Sequence, residues 1–264
     1  MISVVSSVHN RDIDLWYKSL AMQTAIIELI LVVYDDDKNY QPPEDFPHIH
    51  GIIQVDKIDG PYPEAWLKNI GIKHARGDVI ACTNIDIIYT ENFFQTIEDN
   101  CSPGTLVQAT RFDIPELSTV EARDGGIYVS TEGENLHIIC QPVDTPVIGK
   151  ASGDCQCMMR EDWEDLKGYN ENMKGWGGLD VDLECRAILS GRNVFQTGFS
   201  TGVVHYHVWH PRDRKANIAN GHENHEVLKA FLKGNLQNPN ETWGEYSEGA
   251  IAHGKTSHTD IPVS

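Results

Sequence analysis

The chain has 264 residues and a formal net charge of −18, because 21 Lys and Arg stand against 39 Asp and Glu. This length allows one or two domains with a hydrophobic core that needs no disulfide framework. The charge argues against a nucleic-acid binder, which carries a basic face, and against an anionic membrane surface as partner. A local basic patch could still hold a phosphorylated ligand.

The sequence predicts a protein of the reducing cytoplasm. Its N-terminus lacks the basic segment of a secretory signal, and no run of about 18 apolar residues predicts a transmembrane helix. The six cysteines are scattered. The closest two, Cys155 and Cys157, are too isolated to predict a zinc site, so we expect free thiols.

Strand and helix patterns alternate over the first hundred residues. An apolar run at 2–6, a helical pattern at 15–24 and a second apolar run at 28–34 predict a βαβ unit, and therefore a parallel sheet with a right-handed crossover. The same alternation then predicts a strand, a helix, a strand and a helix, at 51–56, 63–75, 78–86 and 90–100. Residues 104–150 carry β-rich fragments separated by Gly and Pro.

The second half combines helices with a glycine-rich loop. The patterns predict a helix over 158–168, a loop and an amphipathic helix over 175–195, a strand from 203, and a last helix over 222–235. The final thirty residues are polar and predict a loosely packed tail.

Polar residues at the carboxyl ends of the predicted strands are the first candidates for a site, because ligands bind there in open α/β sheets. They are Val8 to Arg11, Asp35 to Asp37, and Asn84 to Asp86. A carboxylate such as Asp86 can ligate a divalent metal, but aspartates are common at strand ends, and a turn or a helix cap is the alternative.

Three histidines lie within six residues, at His205, His207 and His210. An extended segment places His205 and His207 on one face, whereas a helical turn after 207 brings His207 and His210 together. Imidazole nitrogen suits Mn, Fe, Co and Zn. The alternative is a set of histidines satisfied by hydrogen bonds.

The loop from Gly175 to Asp182 combines glycines, which allow a ligand to approach closely, with Trp176, whose flat face suits stacking on a sugar ring. Asp180 and Asp182 follow at the start of a predicted helix, where capping and the helix dipole favour acids. We assign that structural role to Asp182 and the role of general base to Asp180. The basic cluster at 212–215 either neutralises a pyrophosphate or forms a solvated face.

Five segments in this order resemble nucleotide-sugar glycosyltransferases of the GT-A fold, over about residues 2–215. The N-terminal half is similar to family 2 and the C-terminal half to the β-1,4-galactosyltransferase group, family 7. The segments are ISVVSSVHNR, LILVVYDDD, AWLKNIGIKHARGDVIACTNID, REDWEDLKGYNENMKGWGGLDVDLECR and HVWHPRD. Asn84 replaces the first aspartate of the D-x-D motif of these enzymes, and Leu179 replaces the glutamate of W-G-G-E-D-D-D.

The resemblance implies the GT-A fold, an α/β Rossmann-like mixed sheet with flanking helices. It implies a catalytic domain at 1–215, with a nucleotide-sugar half at about 1–100 and an acceptor half at about 101–215. Residues 216–264 would form the C-terminal helix and the tail.

The resemblance also implies roles for individual residues. Mn²⁺ or Mg²⁺ would be bound by Asp86, His207 and His210, and Asp180 would be the catalytic base. The donor would be a nucleoside-diphosphate sugar, UDP-linked. The residues implied in binding it lie at strand ends, in the glycine loop or in the basic segment: Val8, Asn10, Arg11, Asp35, Asp36, Asn84, Ile85, Trp176, Gly177, Gly178, Arg212 and Arg214.

These expectations predict an inverting hexosyltransferase that transfers a sugar to a hydroxyl of a glycan or glycoconjugate, in polysaccharide biosynthesis. A sugar nucleotidyltransferase is an alternative, but SVHNRDID lacks the glycines of its phosphate loop. A non-catalytic nucleotide- or carbohydrate-binding module is a second alternative, and a zinc hydrolase that uses the three histidines is a third.

Overall fold

The computed structural model of the chain describes residues 1–34, 37–114, 127–132, 135–140, 150–175, 177–198, 201, 204–208, 214–232 and 242–246. The elements of the first hundred residues are β1 (Ile2–Val8), α1 (Asp14–Ala21), β2 (Ile27–Tyr34), β3 (Ile49–Val55), α2 (Glu64–His74), β4 (Val79–Thr83), β5 (Ile87–Tyr89) and α3 (Phe93–Asn100). They are followed by β6 (Thr105–Ile114), β7 (Ile127–Glu132), β8 (Asn135–Cys140), β9 (Lys150–Met159), α4 (Arg160–Leu166), α5 (Leu179–Leu189), β10 (Asn193–Gln196), β11 (Val204–Val208) and α6 (Arg214–Leu232).

The main sheet of the described residues has nine strands, in the order β3-β2-β1-β4-β9-β6-β11-β5, with β10 also paired to β6. The first four strands are parallel, whereas β9 runs antiparallel to both β4 and β6. The strands β7 and β8 form a separate antiparallel pair. The predicted fold class, an α/β mixed sheet with flanking helices, is confirmed.

Burial on both faces explains why the parallel strands form. All seven residues of β1 are buried, as expected for a strand covered by helices on each side. Alternate side chains enter two cores, so that Val4 belongs to the same core as Trp16 of α1 on one face and Val5 to the same core as Leu67 of α2 on the other. The predicted βαβ unit at the N-terminus is therefore present.

Two features of the sheet differ from the sequence prediction. The strand predicted over 78–86 ends at Thr83, and residues 84–86 form a bend that leads into β5. The ten-residue strand β9 was not predicted, because Gly153, Asp154 and Gln156 interrupt its apolar pattern. These polar residues are the ones that β9 brings to the candidate site.

The strand directions gather several chain ends at one edge of the sheet. The carboxyl ends of β1, β2 and β4 lie at this edge because the three strands are parallel. Since β9 is antiparallel to β4, with Cys155 opposite Thr83, its first half reaches the same edge. Strand β11 runs parallel to β6, with His205 opposite Arg111.

Part of the predicted loosely packed tail is docked. Within the described segment 242–246, Trp243 is only 6% exposed, and the ammonium group of Lys73 lies 3.9 Å from the centre of its ring. The indole nitrogen of Trp66 donates a hydrogen bond to the carbonyl of Glu245 at 2.9 Å. The contacts of Trp243 and Glu245 with α2 thus hold this short segment against the domain, although its composition is polar.

The longest described helix, α6, has 19 residues and carries several charged and histidine side chains. Across the described ranges, no helix combines the length and the hydrophobicity needed to cross a bilayer.

Two helical glycines provide a matched test of the packing between α2 and the sheet. A Cβ on Gly71 would overlap the side chain of Val5, which is β-branched and buried in β1, whereas a Cβ on Gly221 of α6 would meet nothing within 4 Å. We expect Gly71→Ala to lower the free energy of unfolding by about 1–3 kcal/mol. Gly221→Ala should raise it by about 0.5–1 kcal/mol, because alanine favours the helix.

Urea denaturation followed by circular dichroism measures both changes. Equal effects of the two substitutions would contradict the close approach of α2 to β1.

Candidate active site

Strand pairing brings two of the predicted metal ligands together although they are far apart in sequence. The Nε2 atom of His207 lies 3.5 Å from Oδ2 of Asp86. His207 pairs with Ile87 across the β11–β5 ladder, and the amide of Val208 donates to the carbonyl of Asp86 at 2.8 Å. His207 is only 5% exposed, so the contact lies largely out of solvent.

The geometry of this pair fits a divalent cation. An ion about 2.1 Å from each of two atoms that are 3.5 Å apart subtends an angle of about 110° between them, which is compatible with adjacent ligands. One carboxylate oxygen and one imidazole nitrogen suit Mn²⁺. His210, the third predicted ligand, lies outside the described residues, and within those residues no group of three or more His, Cys, Asp and Glu side chains forms a metal site.

A cavity of about 290 Å³ opens beside Asp86. Arg11, Asp12 and Asp14 contribute its polar lining, and Trp16 and Ile85 contribute apolar surface. Two of the residues predicted to bind the donor, Arg11 and Ile85, therefore line the same cavity as the predicted metal ligand.

The other predicted residues of the β1–α1 connection differ in exposure. Val8 is completely buried in the core, so only its backbone can face a ligand. Asn10 is exposed and adopts a positive φ of 46°. The backbone amide of Arg11 donates to the hydroxyl of Tyr40 at 3.2 Å, which holds the loop against the domain.

Asn84 lies in a partly buried network of charges. Its Oδ1 accepts a hydrogen bond from the ammonium group of Lys68 at 2.9 Å, and its Nδ2 donates to Asp154 at 3.0 Å. Lys68 also pairs with Glu64 at 2.7 Å, and Arg111 pairs with Asp154 at 2.8 Å. Burial alone lowers the pKa of Lys68, but the attraction of Glu64 raises it above its ordinary value, so the side chain is charged.

His205 shares a face with His207, because β11 is extended through both residues. The turn after 207 that would bring His207 and His210 together involves residues outside the described part of the chain. The ring is completely buried, and its Nε2 lies 3.6 Å from Oδ2 of Asp154, too far for a hydrogen bond. Burial lowers the pKa of His205 and the carboxylate of Asp154 opposes this shift, so the imidazole is neutral at pH 7.

Asp180 lies in the first turn of α5, directly against β9. The glycines that precede it, Gly177 and Gly178, adopt φ values of 99° and 83°, which favour glycine. A Cβ on Gly153 would overlap the side chain of Asp180, so the glycine permits this close approach. Gln156 donates a hydrogen bond to the backbone carbonyl of Asp180 at 3.1 Å. The side chain of Asp180 is half-buried.

Asp182, two residues later, has a different environment. It is completely buried and pairs with Arg186 at 2.7 Å, and Asn170 donates a second hydrogen bond to it. Arg186 in turn donates to the carbonyls of Leu166 and Gly168. Asp182 therefore acts as a structural acid, through an ion pair rather than through the predicted helix cap.

No individual role was predicted from the sequence for several residues near these groups, although His9 lies within the candidate range from Val8 to Arg11. His9 donates its Nδ1 proton to the carbonyl of Tyr34 at 2.7 Å, and its ring stacks on Tyr62. Its position between Val8 and Arg11 was the available signal. For Lys68 the signal was weaker, namely a lysine among the apolar residues of a helix. For Asp154 it was an aspartate within a buried strand.

The remaining predicted residues lie outside the described part of the chain: Asp35, Asp36, Trp176, His210 and Arg212. Arg214 is the first residue of α6, and its side chain lies outside that part as well.

Residues 142–210 match the family described as the N-terminal domain of galactosyltransferase. This match covers about a quarter of the chain and includes the glycine loop, Asp180 and the histidine segment. No curated protein matches the chain significantly.

Solved structures with a similar fold are glycosyltransferases. S. aureus TarS has a TM-score of 0.57 and 13% identity over 88% of this chain, and its 1–349 fragment has a TM-score of 0.57 and 12% identity over 90%. GalNAc-T7, solved with UDP, GalNAc and Mn²⁺, has a TM-score of 0.54 and 13% identity over 87%. The chain spans 40% of TarS, 67% of its fragment and 47% of GalNAc-T7. The GT-A fold and the galactosyltransferase-like C-terminal segment that the sequence resemblance implied are thus confirmed.

The contrast between the two acids of α5 can be measured as stability. Asp182→Asn leaves the buried guanidinium of Arg186 without a counter-charge, and we expect it to lower the free energy of unfolding by about 3–5 kcal/mol. Asp180→Asn should cost no more than about 1 kcal/mol, the usual contribution of a carboxylate in the first turn of a helix.

The two variants are matched, since each replaces an acid of the same helix by its amide. Comparable losses in urea denaturation would show that Asp180 is also a structural residue.

Proposed function

We propose that the protein is a metal-dependent inverting glycosyltransferase. It transfers a sugar from a nucleoside-diphosphate sugar, with UDP as the nucleotide, to a hydroxyl group of a glycan or glycoconjugate. The observation that supports this most directly is the contact of Asp86 with His207 at one edge of the sheet of a GT-A fold. Strand β9 reaches the same edge, where Asp154 bonds to Asn84 and Gly153 lies against Asp180.

On the donor side, Asp86 and His207 hold Mn²⁺ or Mg²⁺, with His210 as the third protein ligand. The ion, when bound, supplies Lewis-acid stabilisation of the departing diphosphate. Arg11 borders the cavity beside Asp86, where it contacts the nucleotide together with Asp35 and Asp36. The presence of UDP, GalNAc and Mn²⁺ in the GalNAc-T7 structure supports this class of donor.

On the acceptor side, Asp180 is the general base. It is half-buried and lies against Gly153 of β9, so an acceptor hydroxyl can reach its carboxylate from the exposed side. The loop with Trp176, Gly177 and Gly178, which the sequence resemblance assigns to donor binding, directly precedes Asp180 in the chain, and Trp176 supplies a flat face for stacking on a sugar ring.

The reaction is a single displacement. The acceptor oxygen forms a bond to the anomeric carbon as the bond from that carbon to the diphosphate oxygen breaks. The hydroxyl proton passes to Asp180, and the nucleoside diphosphate leaves on the opposite face of the sugar. Attack from the face opposite the leaving group inverts the anomeric configuration.

Asp180→Asn tests the role of the base. We expect transfer to fall by about 10²–10⁴-fold, because the amide cannot accept the proton, while binding of UDP in the presence of Mn²⁺ is unchanged. A panel of UDP-hexoses and UDP-N-acetylhexosamines, incubated with a mixture of oligosaccharide acceptors and scored by UDP release, measures transfer.

Glu161→Gln, an exposed acid on α4, is the matched control and should retain full activity. Equal rates for wild type and Asp180→Asn would exclude Asp180 as the base. Binding of UDP by wild type without turnover of any donor would favour a non-catalytic binding module.

Asp86→Ala and His207→Ala test the metal site. Each should weaken Mn²⁺ binding by more than about 100-fold, which exceeds the usual effect of a residue that only supports a ligand. Isothermal titration of Mn²⁺ in the presence of UDP measures the affinity, and excess EDTA should abolish UDP release.

His222→Ala, at an exposed position of α6, is the control and should bind Mn²⁺ normally. Full turnover in excess EDTA would contradict the metal requirement.

A further inference from the structure

Two hydrogen bonds join the end of β4 to the middle of β9 through Asn84 and Asp154. The backbone amide of Asn84 donates to the carbonyl of Asp154 at 2.9 Å. Its side-chain Nδ2 donates to Oδ1 of the same residue at 3.0 Å. The two residues are 70 positions apart in the chain, so these bonds fix the relation between two distant segments.

The surrounding charges determine which way the amide of Asn84 points. Its oxygen accepts from Lys68, which is only 3% exposed and charged, while its nitrogen donates to the carboxylate of Asp154. The other oxygen of Asp154 pairs with Arg111 at 2.8 Å. An amide can accept from a cation and donate to an anion at the same time, whereas an ionised carboxylate can only accept. An aspartate at 84 would place two carboxylates about 3 Å apart, where they repel strongly in a partly buried site.

The same pair joins the segment that carries Asp86 to the segment that contacts Asp180. Asp86 follows Asn84 by two residues in the bend after β4. Gly153, which permits the close approach of Asp180, immediately precedes Asp154. A movement of either partner would therefore change the position of Asp86 relative to Asp180.

We propose that Asn84 and Asp154 act as a positioning pair, which sets the place of Asp86 relative to Asp180 and thereby the metal-binding geometry. In this chain the acid of the pair is Asp154, on β9, and the amide is Asn84, which follows β4 at the position of the first aspartate of the D-x-D motif. This inference rests on the proposed function, because it assigns Asp86 to a metal ion.

For the N-x-D segment from Asn84 to Asp86, the positioning role predicts a result that the D-x-D motif alone does not. Asn84→Asp creates a D-x-D sequence, yet it should weaken Mn²⁺ binding because it places like charges together. Asp154→Asn should also weaken it, because the new amide nitrogen must then face either Nδ2 of Asn84 or the guanidinium of Arg111, and both of these are donors. The double variant Asn84→Asp/Asp154→Asn exchanges the amide and the acid, so Lys68 keeps an acceptor and the pair keeps its side-chain hydrogen bond.

The experiment compares wild type, the two single variants and the double variant. Isothermal titration of Mn²⁺ in the presence of UDP gives the metal affinity, and urea denaturation confirms that each protein is folded. We expect each single variant to bind Mn²⁺ about 10–100-fold more weakly than wild type, which is typical of residues that support a metal ligand. The double variant should recover to within about threefold of wild type.

Asp99→Asn is the matched control, since Asp99 accepts from Gln95 in an exposed pair on α3, and it should bind Mn²⁺ like wild type.

If folded single variants bind Mn²⁺ as tightly as wild type, the positioning role is overturned and the proposed function stands. If the folded double variant is as weak as either single variant, the pairing is overturned, because the identity of each residue then matters separately. If wild type binds no Mn²⁺, the proposed metal site is overturned and the positioning role with it. Should a single variant fail to fold, the comparison of the double variant with wild type decides alone.

Discussion

The antiparallel pairing of β11 with β5 is the constraint on which the candidate site depends. It places His207 opposite Ile87 and ties the amide of Val208 to the carbonyl of Asp86. A slip by one residue would turn His207 to the other face of the sheet and separate it from Asp86, because strand side chains alternate. Parallel pairing with β6 on the other side of β11 holds the same register. The site is thus specified by backbone hydrogen bonds, while the side chains provide the chemistry.

Charge compensation is the second general feature of the site. The chain carries a formal charge of −18, yet its buried acids near the site have specific cationic partners. Asp182 is paired with Arg186, and Asp154 with Arg111. A buried ion that loses its partner is costly, so these groups are held in place structurally. Asp180 differs because it is half-buried and lies against the glycine of β9, which fits a carboxylate that must exchange a proton with a substrate.

The local part of this arrangement could be predicted from the sequence. The fully buried runs of β1 and β2 predicted a parallel βαβ unit, and the ordered motifs predicted the GT-A fold. The structural role of Asp182 was also predicted, although its ion pair with Arg186 replaces the predicted cap. Assignment of the metal ligands and of the base to their roles stays a prediction.

The non-local part could not be predicted. Strand β9 lacks a clean apolar alternation because Gly153, Asp154 and Gln156 serve the site, and so the partnership of Asp154 with Asn84 had no signal in the pattern of either segment. The docking of Trp243 on α2 likewise depends on a surface formed only in the fold. Such contacts join residues that no periodicity relates.

The central claim is that Asp86 and His207 bind one ion whose diphosphate ligand faces Asp180. Anomalous diffraction at the manganese edge, from crystals grown with UDP and Mn²⁺, tests it most directly. The account predicts a single strong peak about 2.1 Å from both Oδ2 of Asp86 and Nε2 of His207, with the diphosphate between the ion and Asp180. An ion bound elsewhere on the chain, or UDP bound with no ion beside Asp86, would contradict it.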